Sequence, residues 1–210
     1  MNRVIISLAL MFVTSCLLPG QPRKRMSDEK GREAISRFLA KTQGPQGGQI
    51  LSIEDDPVVQ TFSLQRFYTL HYRRYPVAPA LPESLTYNNL LVLYANQNVE
   101  LIRDTNALEA FFRSQLIPVS GEPQARNAVK TWLRLTQEFH QDGFFQFSIP
   151  DGSILVLHES GTIRASGKEE VVSDYGNAGG ISVSLSFDSA GKLMDVKETA
   201  NVVAGRRPNF

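Results

Sequence analysis

The sequence predicts an α+β fold, with helices packed on one face of a curled antiparallel sheet. Two segments in the middle of the chain repeat apolar residues at the three- and four-residue spacing of an amphipathic helix. The last third of the chain alternates apolar and polar residues, which is the period of strands with one buried face. Short turn sequences separate these alternating segments, so neighbouring strands are expected to pair antiparallel.

Three helices are expected. The first spans about 28–41, because acidic residues open it and apolar residues then recur at helical spacing, although Gly31 weakens its first turn. The second follows Asp104, a residue type that caps helix N-termini, and it carries a strongly apolar face. The third and longest helix tolerates Pro123 in its first turn and ends by Gly143.

Strands are expected on both sides of the two middle helices. Those before the helices are 50–53, 58–64, 67–75, and a hairpin of 90–95 with 99–102. Those after the helices are 145–149, 154–158, 162–172, 181–187 and a final strand that ends at 203. Residues 174–180 contain closely spaced glycines and are expected to form a mobile loop. In 181–187 apolar residues alternate with serines, which indicates one face on the core and one on water or a ligand.

The order of helices and strands over roughly 104–203 resembles the cystatin-like and NTF2-like architectures. That resemblance implies a long helix lying in the concavity of the curled sheet. It is a resemblance of topology and implies no role for any residue, because one fold serves many functions. The chain after the N-terminal segment also resembles uncharacterised secreted bacterial proteins.

The first sixteen residues have the layout of an export signal. Arg3 supplies a basic start, and residues 4–13 form an apolar stretch that is too short to cross a bilayer, which needs about 20 residues. Residues 13–16 are Val-Thr-Ser-Cys, which resembles the lipobox of bacterial lipoproteins, with Val13 and Ser15 departing from its commonest form. The resemblance implies cleavage before Cys16, a diacylglyceryl group on its sulfur, and attachment to a membrane of the bacterial cell envelope. An ordinary secretory signal and an uncleaved anchor are the alternatives.

The resulting organisation has five parts. They are a signal peptide at 1–15, a lipidated tether at 16–26, a short helix and flexible connector at 27–49, the α+β domain at 50–203 and a polar tail at 204–210. The tether ends in Arg23, Lys24 and Arg25, which are expected either near lipid phosphates or in a solvated linker.

Composition limits the classes of partner and chemistry. The chain has 22 Lys and Arg against 21 Asp and Glu, and removal of the signal leaves 21 of each, which argues against a nucleic acid partner. Cys16 is the only cysteine, so no disulfide, thiolate metal ligand or catalytic thiol is available to the mature domain. No cofactor is predicted.

Motifs for catalysis or metal binding are weak. The three histidines, His71, His140 and His158, are not spaced as a metal-binding pair on a helix. Residues 54–56 are Glu-Asp-Asp, for which an acidic solvated turn is favoured over a divalent cation site, because the glycine and distal glutamate of a calcium loop are missing. No nucleophile elbow occurs. No catalytic residue and no metal ligand is therefore predicted.

The segment 67–75 is the most unusual in composition, since aromatic and basic residues are concentrated in it. Tyr72, Arg73, Arg74 and Tyr75 are candidate ligand-binding residues, because they are suited to stack on a sugar or bind an acidic polymer. The alternative is a half-buried strand whose arginine stems cover apolar neighbours.

Three functions remain at this point. The first is a non-enzymatic binding module on the envelope, with a membrane contact through its lipid and an envelope protein or polysaccharide as partner. The second is a small enzyme that uses histidine and carboxylate acid–base chemistry in a pocket between the long helix and the sheet. Filling of that space by Trp132, Phe139, Phe145 and Phe147 would remove this alternative. The third is a structural assembly factor of the envelope.

Overall fold

A computed structural model describes residues 25–41, 49–71, 88–141, 145–173 and 176–202 of the chain. These residues form helices α1 (Asp28–Lys41), α2 (Asp56–Thr61), α3 (Thr105–Gln115) and α4 (Glu122–His140). The strands before α3 are β1 (Gln49–Ile53), β2 (Arg66–His71), β3 (Asn88–Leu93) and β4 (Val99–Ile102). Those after α4 are β5 (Gln146–Ser148), β6 (Leu155–Glu159), β7 (Thr162–Ser173), β8 (Gly176–Phe187) and β9 (Leu193–Val202).

Sheet A consists of β1, β2, β3 and β4, which pair antiparallel in chain order. Its two faces are both buried. One face packs on α1 and contributes Tyr68, Leu70, Leu91 and Leu93 to a cluster with Ala34 and Ile35. The opposite face packs on the other helices through Ile53, Phe67, Leu90, Val92 and Ile102. The residues change face at every step along the strand, as the period of two requires.

Sheet B has five strands in the order β5-β7-β8-β9, with β6 also paired to β7. β5 pairs with the Glu170–Val172 end of β7 and β6 pairs with its Thr162–Ser166 end, so these two short strands share one edge of β7. The inner face of the sheet is buried, whereas the outer side chains of β7 are exposed or half-buried. The alternation predicted for 181–187 is confirmed.

The long helix α4 lies between the two sheets, because it contacts β3 on one side and β7 and β8 on the other. A Cβ on Gly167 of β7 would lie 2.6 Å from Val129 Cγ1 and 3.3 Å from Leu133 Cδ1, so the helix rests directly on the strand. The layers are therefore α1, sheet A, the helices α2, α3 and α4, and sheet B. No described helix or strand packs on the outer face of sheet B.

The α+β class is confirmed, and so are the three predicted helices. α3 begins where Asp104 caps it, since the Asp104 carboxylate accepts a hydrogen bond from the Ala107 N–H at 2.8 Å. Gly143, expected at the end of the long helix, lies outside the described residues. The cystatin-like or NTF2-like topology is not confirmed, because the strands divide into two sheets instead of one curled sheet.

Two local predictions are wrong. Residues 58–64 do not form a strand: α2 occupies Asp56–Thr61, with Pro57 in its first turn, and Val58, Thr61 and Phe62 are buried at helical spacing. Residues 176–180 are not a loop but the first part of β8. Their glycines allow close backbone approach, since a Cβ on Gly180 would lie 2.7 Å from the Glu169 carbonyl oxygen.

Candidate functional site

The sequence-predicted site residues lie outside the described residues. Cys16 belongs to 1–24, and Tyr72, Arg73, Arg74 and Tyr75 belong to 72–87. Their roles in lipidation and ligand binding therefore stay predictions. Two surfaces among the described residues are candidate functional sites. They are the end of the domain next to the tether and the outer face of sheet B.

The N-terminal end of the described chain is held by a group of side chains that we call the N-terminal clasp: Arg25, Met26, Glu54, Gln65 and Arg66. Arg25 donates from Nη1 to Glu54 Oε2 at 2.9 Å and from Nε to the Gln65 carbonyl oxygen at 3.2 Å. Arg66 donates to the Met26 carbonyl oxygen and to Glu54 Oε1. Glu54 thus bridges two arginines whose side chains are only 17% and 14% exposed. The clasp fixes the last tether residues to the turn after β1 and the start of β2.

The clasp changes the expectation for the basic residues of the tether. The Arg25 guanidinium is bound by Glu54 and by a main-chain carbonyl, so it belongs to the domain and not to a solvated linker. Arg23 and Lys24 remain candidates for contact with lipid phosphates. Met26 also packs against the cluster under α1, which ties the clasp to the α1 side of sheet A.

The first turn of α1 fits over a buried phenol. A Cβ on Gly31 would lie 1.9 Å from the Tyr68 hydroxyl oxygen, so this helix position has room for glycine only. Burial, with the Asp28 carboxylate next, raises the pKa of Tyr68 to about 12. Burial alone would raise the pKa of Asp28 too, but the hydrogen bond and charge of Arg32 outweigh it and hold that pKa below its usual value. The α1 side of sheet A, which carries the N-terminal clasp, is therefore closely packed as well as ion-paired.

The outer face of sheet B is the other candidate surface. We call it the open face, and by strand register it comprises Arg164, Ser166 and Lys168 of β7, Ser182, Ser184 and Ser186 of β8, and Asp195, Lys197 and Thr199 of β9. At its edge Leu155 and Leu157 of β6 are 59% and 54% exposed. The open face thus offers hydroxyl groups, both signs of charge and an apolar edge.

The space between α4 and sheet B is packed core. Trp132 is fully buried, stacks edge-on to Phe112 at a ring distance of 4.9 Å, and donates from Nε1 to Glu198 Oε2 at 2.6 Å. Phe145 is buried, and Phe139 and Phe147 pack against the same core. Among the described residues, these side chains occupy the space in which the enzyme alternative placed its pocket. A hollow of about 80 Å³ lies elsewhere, between α2 and the loop from α3 to α4.

A partly buried polar cluster joins the two halves of the molecule beside this core. Arg134 of α4 donates to Asp55 Oδ2 at 2.9 Å and to Glu138 Oε1 at 2.6 Å. Gln137 donates to Oε1 of Glu169, which is fully buried on the inner face of β7. Burial raises the pKa of Glu169 to about 7, although the Gln137 hydrogen bond and the Arg134 charge oppose that shift.

The acidic turn at 54–56 is used differently from our expectation. Glu54 binds Arg25 and Arg66, and Asp55 binds Arg134, so neither carboxylate is simply solvated. Sequence alone gave no sign of these pairs, because the arginines lie far along the chain. Glu169 did carry a signal: it occupies an inward position in the alternation of β7, where the other inward residues are small or apolar.

The described residues contain no candidate metal site and no candidate membrane-spanning helix. In them no group of three or more His, Cys, Asp or Glu side chains is arranged to hold a metal ion. Burial lowers the pKa of His140, which lies in the last turn of α4. No helix in the described part of the chain has the length and apolar character that crossing a bilayer requires.

Comparison with known proteins adds no family. No protein-family model matches the chain, and neither a curated protein nor a solved structure shows significant similarity to it. Its function is therefore argued from its own residues.

Proposed function

We propose that this protein is a lipoprotein of the bacterial cell envelope, attached through a lipid on Cys16, whose folded domain is a non-enzymatic binding module. The observation that carries the proposal is that the two candidate surfaces lie at opposite ends of the fold. The N-terminal clasp lies on the α1 side of sheet A, and the open face lies on the far side of sheet B. One end is thus suited to attachment and the opposite end to recognition.

The tether supports this division of roles. Eight residues lie between Cys16 and Arg25, which makes nine steps from one Cα to the next, so a fully extended tether spans at most about 30 Å. Because the clasp binds Arg25 and Met26, the α1 side stays within that distance of the lipid. The open face is separated from α1 by layers that pack about 10 Å apart, and it would point away from the membrane.

The chemistry of the open face suits an envelope protein or polysaccharide. Ser182, Ser184 and Ser186 supply donors and acceptors in the centre, and Lys168 and Lys197 lie to either side. The mixed signs of charge do not favour a nucleic acid partner. A partner protein would gain further from Leu155 and Leu157, since apolar side chains are enriched in interface cores.

The attachment is tested by acyl labelling of cells that express the full-length chain. The wild type is expected to take up the lipid label and to fractionate with membranes, and Cys16→Ser is expected to lose both properties. Gln21→Asn, a change in the tether outside residues 13–16, is a control that keeps the cysteine and the residues before it. Equal labelling of wild type and Cys16→Ser would refute lipidation at this residue.

The binding role is tested with a photo-crosslinking residue placed at exposed positions on opposite sides of the fold. Ser182 lies on the open face and Ser36 lies on the exposed side of α1. A reproducible crosslink to one envelope component is expected from position 182 and not from position 36. Failure to obtain any reproducible crosslink from position 182 would contradict the binding role and leave the lipidation result unaffected.

A further inference from the structure

The buried carboxyl of Glu169 has too few hydrogen-bond donors for a charged group. It is fully buried between β7 and α4, and only its Oε1 receives a hydrogen bond, from Gln137. Its Oε2 has no hydrogen-bond partner among the described residues. A buried carboxylate normally needs several donors or a cation, whereas a neutral carboxyl group is tolerated with fewer. The geometry therefore favours the neutral acid in the folded protein.

The positive charge that acts on the Glu169 carboxyl group is that of Arg134. Residues three apart on a helix lie on the same side, so Arg134 is the neighbour of Gln137 along the face that meets Glu169. Its guanidinium is already engaged by Asp55, at 2.9 Å, and by Glu138, at 2.6 Å. Two carboxylates thus bind the guanidinium, and its charge also acts on Glu169. The protonation state of Glu169 therefore sets how strongly it competes for Arg134.

The Asp55 contact links this competition to α2. Asp55 immediately precedes α2, and α2 is otherwise joined to α4 by the pair Thr61 and Thr131 at 2.9 Å and by Asn127 donating to Gln60 at 2.6 Å. Weakening of the Arg134 to Asp55 contact would remove one of three polar links between the helices. The start of α2 would then open more often.

Other charged groups around Glu169 do not replace Arg134. Apart from Arg134 and its partner Asp55, the charged and titratable side chains of the surrounding described elements are Glu122, Arg126, Lys130, Glu138 and His140 on α4, Asp56 on α2, His158 and Glu159 on β6, and Arg164, Lys168 and Glu170 on β7. Arg126 is engaged by Glu122 and by the Ile154 carbonyl oxygen, and Lys130 and Arg164 are exposed. β5 and β8 contain no ionisable residue. Lys168 and Glu170 lie on the opposite face of β7, and β6 pairs with the far end of that strand.

We propose that Glu169 is a proton-operated switch between sheet B and α2. In its neutral form Glu169 leaves Arg134 bound to Asp55, and on losing its proton it competes for Arg134 and weakens the contact that holds the start of α2. The device is independent of lipidation and of the partner, because it uses only contacts inside the domain.

The test is hydrogen exchange of the α2 amides in the full chain between pH 5 and pH 8, corrected for the intrinsic pH dependence of exchange. The protection factor of α2 in the wild type is expected to fall by about fivefold or more across this range. In Glu169→Gln it is expected to stay constant, whereas Glu170→Gln, a matched change on the exposed side of the same strand, is expected to behave as the wild type. A constant protection factor in the wild type, or the same fall in Glu169→Gln, would overturn the switch.

A second measurement needs no substitution. The side-chain carboxyl carbon of Glu169, followed by NMR in the wild type, is expected to titrate with a midpoint near pH 7. The chemical shifts of the Arg134 guanidinium are expected to change with the same midpoint. A Glu169 midpoint below about pH 5, or an Arg134 signal that does not follow it, would contradict the competition for Arg134.

Discussion

Sheet A and sheet B are both antiparallel, yet they are used in opposite ways. Sheet A is covered by α1 on one face and by the other helices on the opposite face, and its strand β3 contains an unbroken apolar run from Leu90 to Leu93. Sheet B is covered on one face only by the elements that the structure describes, and β8 alternates apolar residues with serines. The comparison teaches that an unbroken apolar strand marks a sheet enclosed on both sides, while strict alternation marks a sheet with a free face.

The same contrast underlies the proposed separation of attachment from recognition. The enclosed sheet carries the N-terminal clasp and the closely fitted first turn of α1. The half-covered sheet carries the open face and the exposed leucines of its edge strand β6.

Substitution of Trp132 is expected to have the largest effect, because this residue fills the space between α4 and sheet B. Trp132→Ala is expected to lower the free energy of unfolding by about 3 to 5 kcal/mol. Ser182→Ala, on the open face of the same sheet, is expected to change it by less than about 0.5 kcal/mol. Chemical denaturation of both variants checks the difference. Similar losses in the two variants would show that the open face is not free.

Removal of the Glu169 charge is expected to stabilise the protein at high pH. The pKa of this carboxyl is raised from 4.5 to about 7 in the folded protein, so stability is fully present below pH 4.5 and falls as the pH rises to about 7. Glu169→Gln is expected to be more stable than the wild type above pH 7 by about 2 to 4 kcal/mol. Denaturation from pH 5 to pH 8 checks this. A wild-type stability that rises over that range, with the variant following it, would reverse the assigned sign.

Enlargement of Gly31 is expected to damage the enclosed sheet. Gly31→Ala places a methyl group against the Tyr68 hydroxyl and is expected to cost about 1 to 3 kcal/mol, even though alanine favours helices. Tyr68→Phe removes the hydroxyl oxygen, so the double variant is expected to recover part of the loss. Thermal unfolding of the two single variants and the double variant checks this coupling. Additive losses would contradict the close fit of α1 on sheet A.

Weakening of the N-terminal clasp is expected to have the smallest effect on stability and a clear local effect. Glu54→Gln removes the shared carboxylate of Arg25 and Arg66, and since Glu54 is partly exposed the loss is expected to be about 1 kcal/mol or less. Cleavage by trypsin after Arg25 is expected to be faster in this variant than in the wild type. Glu29→Gln, on the exposed side of α1, is the control. Mass spectrometry of the cleaved chain checks it, and equal rates in all three proteins would refute the clasp.

Local patterns predicted much of the fold, and non-local contacts account for what was missed. The cap at Asp104 and the serine alternation of β8 depend on neighbours in the chain, and both were predicted. The division into two sheets was not, because nothing local in the sequence shows whether the strands before the middle helices pair with those after them. The short helix α2 was mistaken for a strand because Val58 and Val59 favour strands, whereas Pro57 and the burial of Thr61 decide for the helix.

The candidate surfaces divide in the same way. The open face follows directly from the alternation that predicted β8. The clasp and the pair of Arg134 with Asp55 join residues that are 29 and 79 positions apart, so composition and spacing could not reveal them. Glu169 is different, because the alternation of β7 places this acidic residue at an inward position and was sufficient to identify it from the sequence.

The most direct test of the central claim measures which side of the domain faces the membrane. The proposed lipidation would consume the thiol of Cys16, so Ser36→Cys and Ser182→Cys would each offer one reactive thiol for an environment-sensitive fluorophore on the purified lipidated protein in vesicles. A quencher carried by the lipid headgroups is expected to reduce the fluorescence of the label at position 36, on α1, much more than that at position 182, on the open face. Equal quenching at the two positions, or stronger quenching at position 182, would contradict the assignment of attachment to the α1 side and recognition to the open face.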